Sequence, residues 1–161
     1  MHNSATLLDL HERGQRSLRG LLAHCAELGP EEFERELAGF GYASVRLQLE
    51  HVIGAQEYWL SVIQGRFRDD PEETACPTIE AVETYRRRVA ATIEVYLRQA
   101  TEEELNTARE MWTWPGKMRE LVPALVLLRT LTHIYQHQGQ VLAMCRLLGK
   151  PGPSGLDFPL D

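Results

Sequence analysis

The chain has 161 residues, 43% of them hydrophobic and 25% charged, which suits one domain spanning residues 1–161 and excludes a disordered or fibrous protein. Its formal charge of −6 gives no general attraction to phosphate backbones or anionic lipid, and no basic run supplies one locally, so neither nucleic acid nor membrane is an expected partner. Cys25, Cys76 and Cys145 are too widely spaced for a disulfide framework or zinc knuckle, and MHNSATLLDLHERG lacks the basic flank and apolar core of a signal peptide; a cytoplasmic protein is expected.

The apolar residues recur at helical spacing almost throughout. Leu7, Leu10, Leu18, Leu21, Leu22 and Cys25 predict a first helix that stops at Gly29-Pro30. Residues 31–42 read as a connector with a helical turn. Ser44 is placed to cap a second helix reaching about Gly65, with Val45, Val52, Trp59 and Ile63 on one face. The acidic, proline-bearing RDDPEETACP, residues 68–77, reads as a loop.

Thr78 opens a third helix striped by Ile79, Val82, Val89, Ile93 and Leu97 and ending near Ala100. Arg86, Arg87 and Arg88 are the densest basic cluster and are expected on its solvated face. Thr101 with Glu104 matches a capping box and predicts a short further turn. WTWPGK then breaks the helical pattern with aromatic and β-branched residues before Pro-Gly, predicting a tight turn or small hairpin between Met111 and Met118. The last helix should begin at Pro123 and run to Leu148, closed by Gly149 and Pro151, followed by an irregular tail over residues 151–161 that touches the body through Phe158.

Four long amphipathic segments with almost no strand signal predict an all-α four-helix bundle with a short irregular or hairpin segment before the last helix. That helix is apolar nearly all round, so it is either central or part of a subunit interface, and a homodimer is expected.

HIYQHQGQ places His133 and His137 four residues apart, about 40° from each other around a helix, on one face. Gln140, one turn beyond His137, lies within about 60° of both and so shares their face. On the second helix the same arithmetic groups His51 with Ser44, Leu47, Ala55 and Tyr58, the small Gly54 and Ala55 leaving space beside the imidazole. If the two helices pack together, three imidazoles converge, and facing helices of bundles build metal sites in this way. An HxxxH spacing alone equally suits two buried imidazoles satisfied by carbonyls or by each other. His2, His11 and His24 have no partner at ligand spacing, and His2 is expected in a loose terminus. Cys25 and Cys145 read as small core residues.

HVIGAQEYWL around His51 and THIYQHQGQVLAMCRLLGKPGP around His133 and His137 together resemble the two signature stretches of the DinB/YfiT-like superfamily of metal-binding four-helix bundles. The resemblance extends to their order along most of the chain. It implies a divalent ion, zinc or nickel first, held by His51, His133 and His137. Three imidazoles leave a coordination position open, as in catalytic rather than structural sites.

No glutamate stands beside the first histidine as in HExxH proteases; Ile134 occupies that position, and Glu50 and Glu57 aim off the face of His51. Tyr58 and Gln140 share the histidines' faces and are expected to orient a ligand or donate hydrogen bonds to it; Tyr58 and Trp59 also suit core packing, and Trp112 and Trp114 either line a pocket mouth or cover the bundle end. A site with a cation and no base suits a small thiol, which becomes nucleophilic on coordination. The resemblance implies the same: superfamily members include S-transferases and isomerases using bacillithiol, mycothiol or glutathione. The expected partners are therefore a small thiol and an electrophilic small molecule. Two alternatives stand beside this, a hydrolase using Glu110 or Glu120 as base and a non-catalytic, metal-stabilised stress-response bundle.

Overall fold

A computed structural model describes residues 1–66 and 75–161. Four long helices, α1 (Ser4–Cys25), α3 (Val45–Ile63), α4 (Ile79–Gln99) and α6 (Pro123–Leu147), form the body; α2 (Pro30–Glu34) and α5 (Glu102–Asn106) are single short turns. Strands β1 (Arg109–Thr113) and β2 (Lys117–Leu121) make the hairpin before α6. The all-α bundle with a hairpin insertion is therefore the fold that forms. Of the expected acidic loop, residues 68–74 lie outside the described residues and 75–77 are irregular.

Four of the helices start where the sequence supplies a side-chain cap, while α2 and α6 open on a proline. Asn3 accepts from the Thr6 amide, Ser44 from Leu47, Thr78 from Ala81 and Thr101 from Glu104; each such cap is worth about 1 kcal/mol. The first helix ends at Cys25, four residues before the Gly29-Pro30 pair, because Pro30 instead opens α2. Gly149, at φ 80°, lies just past the turn that ends α6.

Helix α1 packs against α4 and α6, and α3 against the same two, so α1 lies diagonally from α3 and α4 from α6. Leu18, Leu21, Leu49, Ile53, Val82, Leu97, Val141 and Met144 fill the space between them with side chains at most 1% exposed; a fully buried side chain of this kind contributes roughly 1.5–3 kcal/mol. Buried polar pairs link the helices within this core. Gln15 on α1 donates to Gln56 Oε1 on α3 at 2.7 Å, and Ser17 donates to Gln138 Oε1 on α6 at 2.9 Å.

Arg86 corrects the expectation of a solvated arginine face. It is 7% exposed, donates to Gln15 Oε1 at 3.0 Å, and forks onto Glu83 at 2.6 and 2.7 Å. Only Arg87 and Arg88 are exposed. The cysteine expectation holds: Cys25 and Cys145 are fully buried thiols in mutual contact, and that contact together with burial pushes the Cys25 thiol up.

The tail docks along α1 and α6. Leu156 C=O accepts from Gln138 Nε2 at 2.8 Å, Phe158 lies 6.0 Å from the Tyr135 ring, and Gly152 sits so close to Leu142 that a Cβ would come within 2.4 Å of Cδ2. Part of the apolar surface of α6 is thus covered by the chain itself, while Leu125 and Leu147 stay 55% and 67% exposed. His2 is tied rather than loose, its backbone N–H and C=O both bonded to the Asn106 side chain at 2.7 Å. No helix among the described residues is long and apolar enough to cross a membrane.

Candidate metal centre

Helices α3 and α6 run antiparallel, as their cross-helix pairs record: Gln48 meets Gln140, His51 meets His133 and His137, and Trp59 meets Arg129. Numbering rises along one helix as it falls along the other. Four-residue spacing keeps His133 and His137 on the face of α6 turned to α3, and His51 stands opposite them.

The three imidazoles come together. His51 Nε2 lies 3.1 Å from His133 Nε2. Ring centroids are 4.7 Å apart for His51 and His137 and 4.3 Å for His133 and His137. Ligand atoms from all three fall within 4.8 Å of one another. Two nitrogens bound about 2.0–2.1 Å from one ion sit roughly 3.0–3.5 Å apart, so the His51–His133 spacing suits a shared cation.

Hydrogen bonds settle which nitrogen His137 offers. The Gln48 amide nitrogen donates to the Tyr42 carbonyl at 2.9 Å and to Gln140 Oε1 at 3.0 Å. A carbonyl can only accept, so Gln48 Oε1 must face the other way, where it lies 2.6 Å from His137 Nδ1. His137 therefore carries its proton on Nδ1 and presents Nε2 as a bare lone pair, the form a metal ligand needs. Gln48 is fully buried, so the arrangement is held by packing as well as by hydrogen bonds.

Electrostatics keep the cluster neutral. Burial, then the charges of His137, His133 and Arg129, push His51 down to about 4. Burial followed by His133 brings His137 down to about 4. His133 is lowered by burial and by Arg129, against a hydrogen bond with Gln136 that raises it. Neutral imidazoles at neutral pH are the ligand form, and the three-nitrogen donor set with a fixed tautomer fits a divalent ion. His51, His133 and His137 are the residues that would hold it.

The other expected site residues take separate positions. Gln140 is linked to the cluster through Gln48, whose amide nitrogen donates to its Oε1 at 3.0 Å. Tyr58 lies two turns beyond His51; its hydroxyl accepts from the Trp114 amide at 2.9 Å and its ring meets Trp59 at 5.0 Å, fastening the hairpin to α3. Trp112 and Trp114 are 47% and 63% exposed on that hairpin. Glu50 is taken by Arg46 at 2.7 Å and the Cys76 amide at 2.6 Å, and Glu57 by Arg88 at 2.6 Å and Tyr85 at 2.8 Å. Glu110 faces Glu120 across the hairpin, both exposed, on the side opposite buried Met111. Among the described residues no carboxylate joins the histidine group.

Three neighbours escaped sequence reasoning. Gln48 precedes His51 by three residues, about one helical turn, a spacing that puts the two side chains side by side on α3. Tyr42 stacks on His51, centroids 3.9 Å apart and planes 20° from parallel; it lies in a connector whose course no periodicity sets. Arg129 precedes His133 by four residues, and its guanidinium lies over the Trp59 ring at 4.9 Å.

The family model described as "DinB family" matches residues 1–161. A search of solved structures finds a DinB-like protein from Bacillus cereus ATCC 10987 with a TM-score of 0.64 at 20% sequence identity, covering 90% of this chain and 89% of the other. That likeness bears on the fold. No curated protein matches the chain.

Proposed function

The chain belongs to the DinB family, and on that premise we propose that His51, His133 and His137 hold one divalent ion, zinc or nickel, in a site for transfer or isomerisation chemistry that uses a low-molecular-weight thiol. A thiol coordinated at such an ion would be acidified enough to give its proton to solvent water, leaving the sulfur nucleophilic without a protein base. The acceptor in this reading is an electrophilic small molecule of the kind met in detoxification or stress.

The observation that carries the reading is the donor set: three imidazoles with neither carboxylate nor cysteine beside them among the described residues. Three protein ligands leave room for a substrate atom. Metalloprotease-type hydrolysis uses a glutamate base beside the metal, and the nearby glutamates Glu50 and Glu57 are engaged in ion pairs. Within the proposal the chain's own residues have distinct tasks. Gln48 holds the His137 tautomer, Gln140 is a positioning residue that acts through Gln48, and Tyr42 screens one face of His51 from water. Tyr58 is assigned hydrogen bonding to the substrate from the hairpin side. Exposed Leu125 at the start of α6, with Trp112 and Met118 on the adjoining hairpin, supports a homodimer.

The test is to assay protein of measured metal content with glutathione, bacillithiol, mycothiol and coenzyme A against a chlorodinitroaryl electrophile. Turnover with at least one thiol, falling to background in His133→Ala, is expected, from a species with the mass of two chains at micromolar concentration. Inactivity with all four, or activity that survives His133→Ala, rejects the thiol reading; a single-chain mass rejects the dimer.

A further inference from the structure

We infer that Arg129 is the anion-recognition residue of the histidine site, and hence that its substrate carries a carboxylate or similar anionic group one short aliphatic spacer from the atom that meets the histidines. This rests on the reading of those histidines as metal ligands.

Arg129, His133 and His137 follow one another at four-residue steps along α6, each about 40° from the last, so the arginine continues the histidine face toward one end of the helix. Its Cα stands about 6 Å along the axis from that of His133. The guanidinium is held in place by the partner helix, lying 4.9 Å over the ring of Trp59. A guanidinium on an aromatic face keeps its N–H edge free for hydrogen bonds.

What Arg129 lacks is an acid. It forms no ion pair among the described residues, whereas Arg46 on α3 and Arg88 on α4 each pair with a carboxylate. Glu57, two residues before Trp59, is occupied by Arg88 and Tyr85. In a chain of net charge −6, this exposed arginine stands one helical turn from His133 on the same face with no carboxylate as partner among the described residues. Arginine's planar fork matches a carboxylate with two parallel hydrogen bonds. A ligand joining an anionic group to a metal-seeking atom would engage both features at once.

Calorimetric titration of zinc-loaded protein with 3-mercaptopropionate, 2-mercaptoethanol and propionate tests this. Wild type should bind 3-mercaptopropionate at least about tenfold tighter than 2-mercaptoethanol, a difference of about 1.4 kcal/mol. Arg129→Gln should reduce the preference below about threefold, and Arg129→Lys should retain part of it, with zinc stoichiometry and melting temperature unchanged in both. Should neither thiol bind while propionate does so in an Arg129-dependent way, the anion site stands and the thiol reading fails. Equal binding of the two thiols by wild type, a preference that survives Arg129→Gln, or lost zinc binding in that variant overturns the inference.

Discussion

His137 can offer Nε2 to an ion only while Nδ1 holds the proton, and Gln48 enforces this because its amide nitrogen is committed to the Tyr42 carbonyl and Gln140. Supports of this kind are worth about 10–100-fold in metal affinity. Gln48→Leu should therefore weaken zinc binding by about that factor while the helices still form, as far-ultraviolet circular dichroism would record; unaltered affinity would mean that the hydrogen bond is incidental. At this scale the histidines were legible, since helical angle alone places His133 and His137 together and groups His51 with Ser44, Leu47, Ala55 and Tyr58 on one face of α3, although Gly54 meets the Tyr85 hydroxyl instead of opening space beside the imidazole. Their supports were not. Gln48 looks in sequence like any helical glutamine, and Tyr42 reaches His51 from a segment whose path depends on tertiary contacts.

Among the elements, the caps Ser44, Thr78 and Thr101 announced three helix starts because each leaves an oxygen facing an otherwise unpaired amide. Arg86 was misread on composition although periodicity held the answer: it falls between Val82 and Val89 on the buried stripe of α4. The hydrogen bond from Arg86 chiefly, and then that from Arg87, holds the Glu83 carboxyl down at about 2 against a burial cost that raises it, from an ordinary 4.5. The unfolded chain takes up this proton first as pH falls, so the contribution of Glu83 is complete above pH 4.5 and is lost toward about 2. Glu83→Gln should cost about 1–3 kcal/mol near neutrality, and its melting deficit relative to wild type should shrink as pH falls through that window. A deficit that does not vary with pH would place the effect in packing instead.

For the whole molecule, the sequence carried the architecture because four apolar stripes of this length have few ways to hide except in a bundle. It could not carry the diagonal arrangement of α1 with α3 and α4 with α6, which depends on pairs such as Gln15–Gln56 and Ser17–Gln138 that form only between distant segments. Nor could it assign the surplus apolar surface of α6, part of which the tail covers through Gly152 and Phe158. All of this architecture bears on function at one point, the antiparallel pairing of α3 and α6 that brings the imidazoles together. Calorimetric titration of metal-free protein with zinc, run on wild type and on His51→Ala, His133→Ala and His137→Ala, tests that point most directly. The account predicts one ion per chain in wild type and a loss of more than about a hundredfold in affinity in every variant, because losing a ligand costs more than losing its hydrogen-bonded support; no uptake by wild type, or uptake undiminished in the variants, would contradict it.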